Sequence, residues 1–188
     1  MRLDLRFTAR PLKELWCQAI IALLFQEPVD GADTVHGLDS KTLGFLTYLR
    51  EKGFWTGAKG DILLLASQDM VKADKILLKG LGDRAVYNTE VLVEMIGEIG
   101  ESLGGMALSE IGIHFPAARG AGTSYPAQVQ AACIHLVDSF LPRYEDTSDF
   151  VLKLIFSVEG AFMGMLETAL GGIRASLSSR LDLTIVMD

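Results

Sequence analysis

The chain has 188 residues, a formal net charge of -7 and a hydrophobic content of 49%. A chain of this length hides roughly 70% of its unfolded surface, enough for one core, and residues 1–188 read as a single domain without a linker. The acid excess argues against a nucleic-acid binder, which neutralises phosphates with clustered Lys and Arg, whereas here the basic residues are scattered among acids.

Leu3, Leu5 and Phe7 alternate with Arg2, Asp4 and Arg6, the period of a strand with one wet face. Pro11 to Trp16 suits a short helical turn. Ala19 to Phe25 is continuously apolar, as in a parallel strand covered on both sides. Gln26 to Gly37, with Pro28, Gly31 and several acids, reads as a loop. Asp39 or Ser40 can cap one helix from about Lys41 to Lys52, with Leu43, Leu46 and Leu49 inward and Gly53 as its terminator. Ile62–Leu65 and Ile76–Leu78 read as two buried strands joined by a short polar link. Leu92, Met95, Ile96, Ile99 and Leu103 make the inner stripe of a helix from about Thr89 to Leu103. Ile111 to Phe115 is a strand. The Gly-rich stretch Ala117 to Ser124 then leads into a helix near Pro126 that faces Val129, Cys133, Leu136 and Phe140 inward and stops at Pro142. Phe150 to Val158 is the sixth strand. The last helix starts near Ala161, with Phe162, Leu166, Leu170, Ile173 and Leu177 on its apolar face and Met163 and Met165 in the core. Residues 180–188 read as either a short extra strand or a flexible end that docks on a partner. Strands alternating with helices imply an α/β fold of three layers: a mixed, mainly parallel sheet of about six strands with helices on both faces.

The longest purely apolar run, Ala19 to Phe25, is far short of the ~20 residues that span a bilayer, so no membrane association is expected. Asp4 and Arg6 interrupt the start where a signal peptide needs an apolar run. Cys17 and Cys133 sit in apolar surroundings without metal-ligand spacing and suit a reducing cytoplasm.

The segments Gly60-Asp61-Ile62-Leu63-Leu64-Leu65 and Lys75-Ile76-Leu77-Leu78-Lys79-Gly80-Leu81-Gly82, in that order and spacing, resemble the N-terminal domain of the leucyl aminopeptidase family. The helix ending in Phe140-Leu141-Pro142-Arg143-Tyr144 and the elements at Phe150 and Ala161 continue the likeness, which covers about Ala19 to Leu177. It implies a macro-domain-like sheet. In that family a second domain carries two metals, a Lys and an Asn-Thr-Asp-Ala-Glu-Gly-Arg run. Nothing here resembles that run, and the chain stops where such a domain would begin. No catalytic or metal residue carries over, no cofactor is expected, and aminopeptidase activity is not implied.

Two loops could carry a ligand. Arg119-Gly120-Ala121-Gly122-Thr123-Ser124 follows a strand and opens a helix, where exposed N–H groups attract anions. Gly80-Leu81-Gly82 ends another strand, and ligands of open α/β sheets sit at such ends. Gly80, Gly82, Gly120, Gly122, Thr123 and Ser124 are therefore the candidate ligand-binding residues, although neither loop fits a dinucleotide or Walker pattern. His36, His114 and His135 lie on separate elements without a metal-binding spacing. Ser109, His114 and Asp138 could be drawn as a triad, but no Gly-x-Ser-x-Gly elbow supports it. Glu94, Glu98 and Glu101 share a helix face that reads as solvated. Two functions follow. One is a non-catalytic interaction, oligomerisation or regulatory module working through self-association or a protein partner, with the apolar last helix and the tail as its contact. The other is a binder of an ADP-ribose-like or other phosphorylated small molecule.

Overall fold

The computed structural model describes residues 1–27, 34–117, 122–144, 147 and 149–188. Pro28 and Gly31 of the expected acidic loop, and Arg119, Gly120 and Ala121 of the Gly-rich loop, lie outside the described residues.

The strands are β1 (Arg2–Thr8), β2 (Ala19–Phe25), β3 (Ile62–Ala66), β4 (Lys75–Gly82), β5 (Glu110–His114), β6 (Val151–Ser157) and β7 (Asp182–Met187). They form one sheet of seven in the order β3-β4-β2-β5-β6-β1-β7. All neighbours are parallel except β3, which runs antiparallel to β4. The helices are α1 (Thr34–Lys41), α2 (Phe45–Glu51), α3 (Thr89–Leu103), α4 (Tyr125–Tyr144) and α5 (Glu167–Leu177).

β2 explains the layering. Every one of its residues is buried. Ala19, Ile21, Leu23 and Phe25 belong to a large core with the inner faces of α3, α4 and α5. Ile20, Ala22 and Leu24 belong to a smaller core with Leu38, Leu46, Leu49 and Trp55 from α1, α2 and the loop after them. The sheet thus has helices on both faces, as its alternating elements require. The second layer stops short of β1, which accounts for the polar alternation at the start of the chain. Leu3, Leu5 and Phe7 enter the large core, while Arg2, Asp4 and Arg6 face solvent to differing degrees.

Local chemistry sets most helix ends. The Asn88 side chain accepts from Val91 N–H (3.0 Å) and starts α3. The single helix expected over Lys41–Lys52 is instead two. Leu43 and Gly44 adopt left-handed φ values of 55° and 79° and break it. Asp39 then caps the second piece from within the first, its carboxylate accepting from the Thr47 N–H (3.0 Å) and hydroxyl (2.6 Å). Leu43, expected inside, is 89% exposed because the break turns it outward. Pro142 lies inside the last turn of α4 rather than ending it. A proline in a last turn removes one hydrogen bond without stopping the final residues.

Two further expectations need correction. β3 is not buried: it is an edge strand with Ile62, Leu64 and Ala66 exposed and Leu63 and Leu65 half-buried. Met165 is exposed, while Met163 packs partly against the core. The tail is a seventh strand: β7 adds parallel to β1, pairing Leu3 with Leu183 and Leu5 with Ile185. Leu183 and Ile185 pack against the large core. Changing both to Asp should therefore lower the urea midpoint, by about 2–3 kcal/mol of stability. An unchanged midpoint with an altered mass in solution would instead assign this strand to an interface.

Candidate functional site

The carboxyl ends of β4, β2, β5 and β6 converge on one rim of the sheet. In an open parallel sheet this rim is where loops can shape a ligand crevice. From β2 comes Phe25, whose ring meets Tyr87 edge-on at 5.0 Å between centroids. The Arg84 guanidinium lies 4.2 Å above the same Phe25 ring. From β5 comes Phe115, whose carbonyl accepts from the Tyr125 hydroxyl (2.9 Å). The Tyr125 ring packs on Phe162 at 4.7 Å. Beyond β6, the Glu159 carboxylate accepts from Ala117 N–H (3.0 Å) and so ties two strand-end loops together.

Burial pushes the Tyr87 and Tyr125 phenols upward; at Tyr125 a main-chain hydrogen bond at Glu159 offsets part of the rise, to which the Glu159 carboxylate and Tyr87 charges add less. Both are neutral hydroxyls at physiological pH. The Tyr87 hydroxyl and the Gln128 amide oxygen are buried without a hydrogen-bond partner among the described residues. Such orphans are uncommon in a folded interior. Glu27, whose carboxylate accepts from Arg84 N–H (3.2 Å), together with Asp83 and Glu159, gives this rim an acidic lining.

The candidate glycines divide into two groups. Gly80 donates its N–H to Asp61 O (2.8 Å), and Gly82 donates to Gly57 O (2.9 Å). A Cβ at Gly80 would overlap the Ala58 carbonyl oxygen and come within 2.8 Å of the Gly57 carbonyl carbon. At Gly82 it would touch Lys59 at 3.0 Å, and the backbone there has φ 75°. Both glycines therefore seat the loop over residues 57–60. Asp61 holds that loop by accepting from the Thr56 hydroxyl (2.8 Å) and N–H (3.1 Å), which draws its carboxyl below the usual range. Gly122, Thr123 and Ser124 form an exposed 3-10 turn at the start of α4. A Cβ at Gly122 would meet nothing within 4 Å. Gly120 lies outside the described residues. The ends of β4 and β5 stand two strand spacings apart, about 10 Å, on either side of β2.

The other candidates do not assemble. His114 is buried, with Nδ1 3.0 Å from Ser157 O. Ser109 donates its N–H to Gln18 (2.7 Å), and Asp138 pairs with Arg180 (2.8 Å). Glu94 pairs with Lys59 (2.6 Å), and Glu98 pairs with Lys79, a lysine left only 1% exposed within β4. That buried cation is the reason for an acid at Glu98, a link invisible from the helix face alone. Among the described residues no group of three or more His, Cys, Asp or Glu could hold a metal ion, and no helix is long and apolar enough to cross a membrane. Burial pushes the Cys17 thiol up to about 11 and the Cys133 thiol higher still.

The residues missed from sequence lie at the opposite end of β3. Phe45, Leu65, Ala66, Met70 and Ile76 line an apolar pocket of about 220 Å³. Phe45, which lines it from α2, is 39% exposed. The apolar run Ile62–Leu65 was its only sequence signal.

Residues 22–140 match the cytosol aminopeptidase family, N-terminal domain. No curated protein matches the chain in sequence. Among solved structures, a mutant leucine aminopeptidase from tomato aligns at a TM-score of 0.68 and 11% identity, covering 90% of this chain and 35% of that one. The chain thus spans about a third of the tomato enzyme's length. A Trypanosoma brucei macrodomain in complex with ADP-ribose aligns at 0.58 and 15% identity, covering 94% and 69%. The macro domain of ganglioside induced differentiation associated protein 2 aligns at 0.61 and 14%, covering 91% and 82%. These likenesses carry the fold: α/β, mainly parallel and macro-domain-like.

If Gly80 is a seat for the loop, Gly80→Ala should cost about 1–3 kcal/mol, while Gly122→Ala should stay within about 0.5 kcal/mol. Thermal unfolding of the two variants separates these roles. Equal melting temperatures would show that the loop does not depend on the seat.

Proposed function

We propose that this chain, which belongs to the cytosol aminopeptidase family through its N-terminal domain, works as a non-catalytic interaction module through the open edge of its sheet. The observation that carries this reading is β3. Ile62 and Leu64 are 43% and 45% exposed on a strand with no second neighbour among the described residues. The run Ile62–Ala66 holds no charge, no proline and no glycine. Edge strands that stay monomeric are normally blunted by such residues, because their unpaired N–H and C=O groups accept another chain.

The test compares wild type with an Ile62→Lys, Leu64→Lys double variant by sedimentation, both purified and in extract of the native host. Wild type should travel in a complex. The double variant should travel as a lone 20.4 kDa chain with the same melting temperature. A wild type that is a lone chain in both settings removes the reading.

A second reading is a binder of an ADP-ribose-like or other phosphorylated compound at the carboxyl rim. It is favoured by the buried Tyr87 hydroxyl, which has no hydrogen-bond partner among the described residues, and by the ADP-ribose held by the Trypanosoma brucei relative. Gly122, Thr123 and Ser124 would supply donors, with Gly80 and Gly82 shaping the far side. It ranks second because Glu27, Asp83 and Glu159 oppose a dianion there. ADP-ribose at 100 times its dissociation constant would stabilise the fold by roughly 2.7 kcal/mol, or about 5–11 °C. Without ligand, Tyr87→Phe should leave stability unchanged or raise it by up to about 1 kcal/mol, since it removes an unsatisfied hydroxyl. With ligand it should shrink the shift. No shift with ADP-ribose, ADP or phosphate excludes this rim as such a site.

A further inference from the structure

We infer that the occupant of the open β3 edge is a second copy of this chain, paired antiparallel with Leu64 of each copy on a two-fold axis. This rests on the interaction reading above and names its partner.

The direction of the main-chain groups sets the register. Ser67 donates its N–H to Asp74 O (2.9 Å), and Asp61 O accepts from Gly80 N–H (2.8 Å). The odd-numbered residues of β3 therefore turn their N–H and C=O groups toward β4. Successive residues of a strand alternate, so Ile62, Leu64 and Ala66 turn theirs to the open edge. Antiparallel pairing that opposes Leu64 to Leu64 also opposes Ile62 to Ala66 and Ala66 to Ile62. It engages every outward donor and acceptor of the strand, which a register centred on Leu63 or Leu65 does not.

Side chains agree with this register on both faces. On the face shared with α3, the exposed Ile62, Leu64 and Ala66 meet the same three residues of the other copy. On the opposite face, Leu63 falls beside Leu65 of the second copy. That Leu65 lines the pocket of about 220 Å³ with Phe45, Met70 and Ile76. An antiparallel pair without mutual hydrogen bonds brings side chains closest, so Leu63 enters that pocket. Charge is compatible too. Carried past the strand ends, the register sets Lys59 toward Asp69 and Asp61 toward Ser67, and it creates no like-charge pair. A two-fold contact of this kind is closed and does not propagate into fibres. It would join two sheets of seven into one continuous sheet.

Leu64→Cys tests the geometry. Directly opposed residues of a hydrogen-bonded antiparallel pair have Cα and Cβ atoms about 5.5 Å apart, too wide for an unstrained disulfide but within reach of a short bifunctional thiol reagent. Cys17 and Cys133 are buried and do not compete. Purified wild type should have twice the 20.4 kDa chain mass, and a short bifunctional thiol reagent should link the two chains of Leu64→Cys. Leu64→Lys should be a lone chain with an unchanged melting temperature. A dimer that fails to link through Leu64→Cys overturns the register. A purified lone chain that enters a complex only in host extract overturns the second copy and leaves the interaction reading standing.

Discussion

Seven consecutive apolar side chains need cover on both sides, and the molecule is arranged around supplying it to β2. Ala19 to Phe25 contribute alternately to two separate cores. Its main-chain edges are taken by β4 along the whole strand and by β5 from Ala19 to Ala22, which gives its buried backbone groups their partners there. Its last carbonyl, on Phe25, accepts from the Arg50 guanidinium (2.7 Å), which also lies over the Trp55 ring at 5.1 Å. That contact fastens α2 to the strand end. Gly57 packs against the same carbonyl so closely that a Cβ would come within 2.8 Å of it. The loop that sits on Gly80 and Gly82 is thus anchored to β2 as well as to β4.

This anchoring explains why paired glycines at a strand end need not mean a ligand. Glycine admits any close backbone approach, and here the approach comes from the chain itself. The N–H groups of Gly80 and Gly82 already have acceptors. The rim is otherwise finished with rings, Phe25 against Tyr87 and Tyr125 against Phe162. What remains unfinished there is the Tyr87 hydroxyl and the Gln128 amide oxygen.

The elements that sequence reveals best are those whose pattern has one physical solution. β2 has no alternation and so must be central. α3 has an Asn88 cap, an inner stripe and a Gly-rich end, all agreeing on its bounds. β3 and β4 illustrate the opposite case. Their runs Ile62–Leu65 and Ile76–Leu78 look equally buried, yet only β4 lies between two strands. Burial of β3 depended on a neighbour that composition cannot show. The split between α1 and α2 was hidden for a related reason: Leu43 fits a helical stripe, and nothing about leucine signals a φ of 55°. In sequence Asp39 suits the cap of a helix starting two residues on, whereas in the structure it caps Thr47. Of the candidate site residues, the start of α4 was legible from Gly122 and Pro126. The spent donors of Gly80 and Gly82 were not, because their acceptors lie some twenty residues earlier in the chain.

The exposed edge has a geometric origin. Three helices, α3, α4 and α5, cover the large core side by side. At helix spacings of 8–10 Å their axes span about 20 Å. Seven strands at about 4.8 Å span about 29 Å between first and last. One strand at each side must therefore stand partly beyond the helical layer. Lys79 marks where cover ends at the β4 side, since Glu98 of α3 reaches it while its cross-strand neighbour Ile62 stays exposed. The two overhanging strands answer differently. β7 alternates, placing Asp182 and Thr184 outward and Leu183 and Ile185 toward the core, which is the pattern of a strand that ends a sheet in water. β3 is apolar on both of its faces. A strand with no wet face is the sequence of an interior strand, and the second neighbour it calls for is not among the described residues of its own sheet.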